Sequence, residues 1–333
     1  MRQPTTPLVF FCALLLLVLA SAAWAVEFGL PLACPEQDCV IQNYFDHDPG
    51  PGWMDYNCGS LSYDGHNGTD FRVSKAEMEA GVPVYAAAPG RVVATRDGMD
   101  DVLMDDAPPG YIKGREAGNG VRIDHGDGWV TQYSHLKKGS ILVKRGQVVD
   151  QGQQLGLIGL SGATTFPHVE FMVHYNGEAV GPFTGPGGKT GCGLGMHPLW
   201  SPAALERLDY HGGGLLAHGF SDRLPDINAR FDWGAAQAEI GADAPMMVYW
   251  LALYGVRKGD RLSVRITSPG GGVFADETFT IEKSQAQRVQ YLGKKRSGGP
   301  WASGLYEAHC TLTRNAQGRT EVVAEGAAQV RVP

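Results

Sequence analysis

Two short stretches of this 333-residue chain carry side chains that can bind a metal ion. In GHNGTDF, a turn brings together His66 and Asp70, which have three residues between them. In FPHVEF, His168 and Glu170 are two apart, and on a strand such residues share a face about 6.6 to 6.8 Å from each other. Two ligands from one turn and one from a strand, with an open position for water, predict a catalytic zinc site and not a closed structural one.

A third stretch, GNGVRIDHGDGWVTQYSHL, ends on His135. The three stretches, in this order and with the flanking GVPVYAAAPGRVV and VVDQGQQLGLIGLSG, resemble the lysostaphin-type zinc endopeptidases. These are peptidoglycan hydrolases with the duplicated hybrid motif fold, and the resemblance covers about residues 60–183. It implies one zinc ion with these ligands: His66, Asp70 and Glu170. It also implies two catalytic histidines, His135 and His168, which orient the water, take its proton and stabilise the oxyanion.

The departure from the family pattern is at the third ligand, where Glu170 replaces a histidine. A carboxylate oxygen can bind zinc at about 2.0 to 2.2 Å, as an imidazole nitrogen does. Two carboxylates cancel the charge of the ion, however, so bound water should be less acidic and the substrate carbonyl less polarised. Oxygen-rich ligation also relaxes the preference for zinc over Mn²⁺, the less favoured metal here. His174 is excluded as a substitute, because it lies about 13 Å further along a straight strand.

Other polar residues of these stretches are assigned structural roles. His125 in IDHGDG is expected to pack or hydrogen-bond at a hairpin. For Asn119 and Tyr133, turn and sheet roles are favoured over support of the metal site. Ser161 in GLSG has no Asp–His arrangement of its own, which disfavours a serine nucleophile.

Composition and turn signals predict a mainly β protein. The chain is 43% hydrophobic and 19% charged, with 46 Gly, 20 Pro and few long helical patterns. The resemblance implies a lysostaphin-like peptidase domain of β-sandwich or barrel type over residues 60–183. Alternating apolar residues with regularly spaced turns predict an accessory immunoglobulin-like β-sandwich over 231–333. Residues 26–59 are predicted to be an irregular N-terminal segment, and residues 184–230 a Gly-rich linker or covering segment.

Residues 1–25 have the features of a signal peptide. Arg2 precedes the apolar run LVFFCALLLLVLA, and AWA is a small-x-small cleavage site. The run is too short to span a bilayer comfortably and no later stretch could do so, which predicts export to a periplasm or outside the cell. An uncleaved anchor is the alternative. Cleavage removes one basic and no acidic residue, so the formal charge changes from −7 to −8, which argues against nucleic acid as a partner.

Five cysteines remain after cleavage: Cys34, Cys39, Cys58, Cys192 and Cys310. Export favours disulfides over zinc–thiolate sites, and no C-x-x-C pair is present. Four cysteines can pair and one is left over, with the connectivity open. Cys34 and Cys39 would close a short loop, and Cys310, far along the chain, is the candidate free thiol.

These observations favour an exported metalloendopeptidase that hydrolyses stem or cross-bridge peptides of bacterial peptidoglycan. The alternative is a non-catalytic peptidoglycan-binding or hydrolase-activating protein that keeps the fold and its groove. In a third interpretation the segment from Cys192 to about Phe231 covers the groove, with these candidate inhibitory ligands: His197, His211 and His218.

Overall fold

The computed structural model describes residues 26–34, 39–188, 191–316 and 318–333. The predicted signal peptide, residues 1–25, lies outside these ranges. Strands dominate these ranges, and the two helices within them are short: α1 (Lys75–Ala80) and α2 (Pro202–Leu205). Across the described ranges, no helix is long and apolar enough to cross a membrane. The predicted mainly β class is confirmed.

Among the described residues, the N-terminal domain contains ten strands. In chain order they are β1 (Ile41–Asn43), β2 (Thr69–Arg72), β3 (Pro83–Tyr85), β4 (Gly90–Arg96), β5 (Asn119–Gly126), β6 (Trp129–Leu136), β7 (Val148–Val149), β8 (Gln154–Leu157), β9 (His168–Tyr175) and β10 (Glu178–Val180). Eight form one antiparallel sheet in the order β1-β2-β9-β6-β5-β4-β7, with β10 paired to β9, while β3 and β8 pair separately. The Asp127-Gly128 turn that joins β5 to β6 has positive φ at both residues, as the Asp-Gly hairpin signal predicts.

Side chains along the central strands alternate between the hydrophobic core on one face of the sheet and a polar surface on the other. Phe71, Tyr133, Val169 and Phe171 are buried on the core side. Their neighbours on β2 and β9 point the opposite way, because successive side chains on a strand alternate between faces. The candidate ligands therefore lie on the face of the sheet that the core does not occupy.

The segment predicted to be irregular, residues 26–59, is part of this domain. Phe28, Leu32 and Tyr44 are buried in the same core as the central strands. β1 adds a strand to the edge of the sheet beside β2. The segment therefore has few regular elements but contributes both core and sheet.

In the part of the chain that the structure describes, the C-terminal domain is a β-sandwich of seven strands. They are β11 (Gly214–Ser221), β12 (Met246–Val256), β13 (Arg261–Thr267), β14 (Val273–Thr280), β15 (Gln285–Lys295), β16 (Gly304–Ala316) and β17 (Arg319–Val332). Sheets of order β11-β12-β15 and β14-β13-β16-β17 enclose one apolar core, in agreement with the immunoglobulin-like prediction.

One part of the predicted linker is a strand. β11 lies inside the 184–230 segment but pairs with β12 over seven residue positions. Its sequence, GLLAHGFS, has no apolar–polar alternation, because residues on both of its faces are at least partly covered. The sandwich therefore begins before residue 231, and the other predicted boundaries stay predictions.

The two domains are packed against each other, and two disulfides cross-link the N-terminal domain. Tyr254 of β12 is buried in the N-terminal core, and Arg72 of β2 donates hydrogen bonds to the carbonyl of Arg230 and the side chain of Gln287. Disulfides link Cys34 to Cys39, as expected, and Cys58 to Cys192. The fifth cysteine, Cys310, is a free and buried thiol, as predicted.

Candidate metal centre

Strand pairing assembles the site at one side of the eight-stranded sheet. β2 and β9 are antiparallel neighbours, and Asp70 lies opposite Glu170. On the other flank of β9, Ser134 of β6 also lies opposite Glu170. His66 belongs to the turn that leads into β2. Because directly opposite residues share a face of the sheet, both carboxylates project from the polar face.

The three predicted ligands converge in space. His66 Nε2 lies 3.3 Å from Asp70 Oδ1, and His66 Nδ1 lies 3.8 Å from Glu170 Oε1. One ligand atom from each residue lies within 4.8 Å of the other two. Zinc binds imidazole nitrogen and carboxylate oxygen at about 2.0 to 2.2 Å, so atoms this close surround a space of the size of one ion.

Three buried atoms of this cluster have no hydrogen-bond partner among the described residues: Nδ1 and Nε2 of His66 and Oδ1 of Asp70. A buried polar atom without a partner costs roughly 1–3 kcal/mol. Such a concentration of unpaired atoms points to a group that binds there and satisfies them. The donor set of one imidazole and two carboxylates fits a divalent cation such as zinc, and tolerates manganese.

Gly68 leaves the space that the Glu170 side chain occupies. A Cβ at position 68 would lie 2.7 Å from Glu170 Cγ and 3.1 Å from its Oε1. Any other residue at 68 would therefore displace the candidate third ligand. The turn between His66 and Asp70 thus fixes two ligands and accommodates the third.

Two histidines face the cluster from neighbouring segments. His135 Nδ1 lies 2.8 Å from the carbonyl oxygen of Ser161, and His168 Nδ1 lies 2.9 Å from that of Phe166. Because a carbonyl only accepts, both rings carry their proton on Nδ1 when neutral. This assignment leaves each Nε2 with a free lone pair, 3.7 Å from Glu170 Oε2 for His135 and 3.5 Å from Asp70 Oδ1 for His168.

The buried ionisable groups of the cluster shift one another's pKa values. Burial lowers the pKa of His168 to about 4, which keeps this imidazole neutral near pH 7. Burial would raise the pKa of Asp70, but His66 and His168 outweigh it and hold that pKa well below its usual range. For His66 burial acts to lower the pKa, and the Asp70 and Glu170 carboxylates overcome it and raise the pKa. The raised pKa of His66 and the lowered pKa of Asp70 both show that this cluster favours positive charge beside its carboxylates.

Two residues that the sequence patterns did not indicate support the ligands. Asn43 of β1 lies opposite Asp70 and donates a hydrogen bond of 2.8 Å from Nδ2 to Asp70 Oδ2. It occupies one carboxylate oxygen and leaves Oδ1 for a metal. The Asp46 carboxylate accepts hydrogen bonds from Met54 and Gly65, and its backbone N–H donates to the carbonyl of His66. No motif marks either residue, because both act through strand and loop pairing.

The polar residues expected to be structural make structural contacts. His125 bonds to the carbonyl of Pro89 and to the Thr131 hydroxyl at the hairpin. The Asn119 side chain bridges backbone groups of the 98–99 and 136 positions, and the Tyr133 hydroxyl accepts from Ala87 N–H. The Ser161 hydroxyl donates to the Leu136 carbonyl.

The remaining histidines stay outside the cluster. His174 lies on β9 opposite Val130, beyond the ligands, as the strand geometry required. His218 of β11 is hydrogen-bonded to the Tyr249 hydroxyl within the sandwich. In the described part of the chain, His197, His211 and His218 do not join the group of ligand atoms around His66. The interpretation that they inhibit the site by ligation is therefore wrong.

The comparisons with known proteins agree with this geometry. Residues 64–182 match peptidase family M23. This range contains the three clustered ligands and both flanking histidines. Residues 64–182 are an M23 peptidase domain. Asn43, Asp46 and the whole C-terminal sandwich lie outside the matched range.

Two curated relatives of the M23 domain come from Vibrio cholerae. The peptidoglycan DD-endopeptidase ShyA is 40% identical over 115 residues, which are 34% of this chain and 21% of that protein. The peptidoglycan DD-endopeptidase ShyB is 38% identical over 108 residues, which are 32% of this chain and 20% of that protein. The chain thus spans about a fifth of the length of these relatives.

Among solved structures, a zinc-containing peptidase from Vibrio cholerae is similar to this chain. It is 29% identical, with a TM-score of 0.33, and the similarity covers 46% of this chain and 39% of that one.

Proposed function

We propose that the protein is an exported zinc metalloendopeptidase that hydrolyses peptide bonds of bacterial peptidoglycan. The observation that carries the proposal is the group of unpaired, buried ligand atoms of His66 and Asp70 beside Glu170. The M23 match and the two peptidoglycan DD-endopeptidase relatives support the reaction and the substrate class. Two disulfides within the first domain are typical of an exported protein and support export.

In this proposal His66, Asp70 and Glu170 hold the zinc ion. Bound zinc would supply a Lewis acid that polarises the scissile carbonyl and lowers the pKa of the attacking water. Asn43 keeps the Asp70 carboxylate in one orientation. Glu170 adds a second negative charge to the ligand set, so less positive charge remains for the substrate than with a histidine ligand.

His135 and His168 would carry out the proton transfers. Their Nδ1–H groups are held by backbone carbonyls, which fixes both ring orientations. Each Nε2 is then free to orient the water, accept its proton and, once protonated, stabilise the oxyanion or protonate the leaving amine. The rings lie 4.7 Å apart, so both can reach one scissile bond.

Zinc content and muropeptide release test the proposal together. We would compare the wild type with Asp70→Ala, Glu170→Ala and Glu170→His, measuring bound metal and soluble products from purified peptidoglycan. Asp70→Ala and Glu170→Ala should lose metal and release nothing above a blank, whereas Glu170→His should keep or raise the release. Equal release by all four proteins would end the proposal.

The second candidate function is a peptidoglycan-binding or hydrolase-activating protein without catalysis, and the replacement of a histidine ligand by Glu170 is the observation that favours it. It predicts sedimentation with peptidoglycan that chelators do not change, together with no product release by the wild type or by Glu170→His.

A further inference from the structure

The polar face that carries the metal centre continues away from it across β6 and β5. Ser134 lies opposite Glu170, and Gln132 is two residues before Ser134 on the same face. Gln132 donates a hydrogen bond to the Ser134 hydroxyl, which joins the two side chains. On the next strand Arg122 lies opposite Gln132. A continuous polar surface thus runs from the candidate third ligand to an arginine.

A small cavity of about 160 Å³ opens on this surface. Its polar side chains include those of Arg96, Arg122, Gln132 and Ser134, and Gly120 also lines it. No acidic residue lines it. This composition contrasts with the chain as a whole, which has a formal charge of −7.

Among the described residues, neither arginine is in ion-pair contact with a carboxylate. In the described structure no carboxylate oxygen lies within 4.0 Å of the Arg96 or Arg122 guanidinium. Two acidic groups lie on the adjoining segments: Glu116 accepts from Gly114 N–H and its charge also interacts with Arg96, and Asp124 accepts from Gly126 N–H. Arg96 is oriented by a hydrogen bond of 3.1 Å to the Gly118 carbonyl.

We infer that this cavity is a subsite that binds a carboxylate of the peptide substrate; this rests on the proposed function. A guanidinium presents planar, paired N–H donors that match the two oxygens of a carboxylate. The Gln132 amide and the Ser134 hydroxyl add neutral donors beside them. Both arginines are exposed, so a carboxylate on an extended peptide can reach them.

Strand geometry gives the distance between this subsite and the scissile bond. The path from Glu170 to Arg122 crosses two strand spacings of about 4.8 Å and advances one two-residue step of about 6.8 Å, which gives a separation of about 12 Å. An extended peptide advances about 3.4 Å per residue. The recognised carboxylate therefore lies about three or four residues from the bond that is cleaved.

A substrate pair that differs only in carboxylates tests the subsite. One substrate is a soluble cross-linked muropeptide, and the other is the same compound with its carboxylates converted to carboxamides by carbodiimide and ammonia. We expect the wild type to have at least a 10-fold higher kcat/KM for the carboxylate form. Arg122→Gln and Arg96→Gln should lower kcat/KM for that form by about 10-fold and leave the carboxamide form unchanged.

Arg91→Gln is the matched control. Arg91 lies on β4 like Arg96, is exposed, and donates to the Gly146 carbonyl away from the cavity. This variant should keep the full preference for the carboxylate form. A loss of preference in Arg91→Gln equal to that in Arg96→Gln would show a general charge effect and overturn the subsite.

Calorimetric binding separates failure of the subsite from failure of the proposed function. The same two compounds are titrated into the protein with and without chelator. Preferential binding of the carboxylate form by the wild type but not by Arg122→Gln supports the subsite even if nothing is cleaved, in which case the hydrolase assignment alone is wrong. Equal binding of both forms, or binding of neither, overturns the subsite even if cleavage occurs.

Discussion

Two buried polar clusters of this protein have opposite hydrogen-bonding states. In the sandwich, Arg314 binds both carboxylate oxygens of Asp260, at 2.9 and 2.7 Å, and donates to the carbonyls of Gly212 and Gly255. In the M23 domain, both ring nitrogens of His66 and one oxygen of Asp70 have no partner among the described residues. Both clusters are almost fully buried, so exposure does not explain the difference.

Under the proposed function, the difference separates a structural from a functional use of buried charge. A buried ion pair that serves the fold gains from having all its donors and acceptors satisfied by the protein. A metal site must instead leave ligand atoms open, and the fold has to stabilise that arrangement by other contacts. The first cluster should therefore stabilise the fold without metal, whereas the second should stabilise it only when metal is bound.

The largest expected effect is on the satisfied cluster. Arg314→Met leaves the Asp260 carboxylate buried and unpaired, which should lower the free energy of unfolding by about 3–5 kcal/mol. Urea unfolding of the metal-free protein measures this. The matched control is Arg265→Met, which breaks the exposed ion pair between Arg265 of β13 and Asp276 of the neighbouring strand β14. This variant should lower the free energy of unfolding by at most about 1 kcal/mol. Similar losses in both variants would contradict the distinction.

The same comparison explains which side chains the sequence alone could bring together. His66 and Asp70 lie in one turn and His168 and Glu170 on one strand, so local spacing and the family resemblance sufficed. The Arg314–Asp260 pair is separated by 54 residues and depends on how β13 and β16 pair. Nothing in the local sequence marks such a pair.

Interactions between distant segments account for the features that could not be predicted from the sequence. Asn43 reaches Asp70 across 27 residues, and the register shifts along β1, so no pattern of period two could align them. The Cys58–Cys192 bond spans 134 residues, and its pairing was left open for the same reason. β11 was missed because its glycines and unbroken partial burial hide the strand periodicity.

The next effect is the dependence of stability on metal. Zinc at 100 times its Kd should raise the free energy of unfolding of the wild type by about 2.7 kcal/mol. Asp70→Asn should abolish this increment, because it removes a charged ligand, while changing the stability of the metal-free protein by less than about 1 kcal/mol. Thermal unfolding with chelator and with zinc measures both. A full zinc increment in Asp70→Asn would show that the ion binds elsewhere.

A smaller effect is expected from the residue that orients Asp70. Asn43→Ala removes the donor to Asp70 Oδ2 and should weaken zinc binding by about 10- to 100-fold, as measured by competition with a chelating dye. Gln42→Ala is the control on the same strand, since Gln42 bonds to Arg72 and not to a ligand. It should change stability and leave zinc affinity unaltered. Equal zinc affinity in wild type and Asn43→Ala would reduce Asn43 to a structural role.

The smallest effect concerns a satisfied histidine outside the metal centre. Burial lowers the pKa of His125, which bonds to the Pro89 carbonyl and to Thr131. The unfolded chain then binds more protons than the folded one below about pH 6.5, so the contribution of His125 is full above that pH and is lost as pH falls. His125→Gln should cost about 1 kcal/mol at pH 8, and the gap to wild type should narrow toward pH 5. Peptidoglycan release should not change, and a gap that widens on acidification would mean that His125 is held in its charged form.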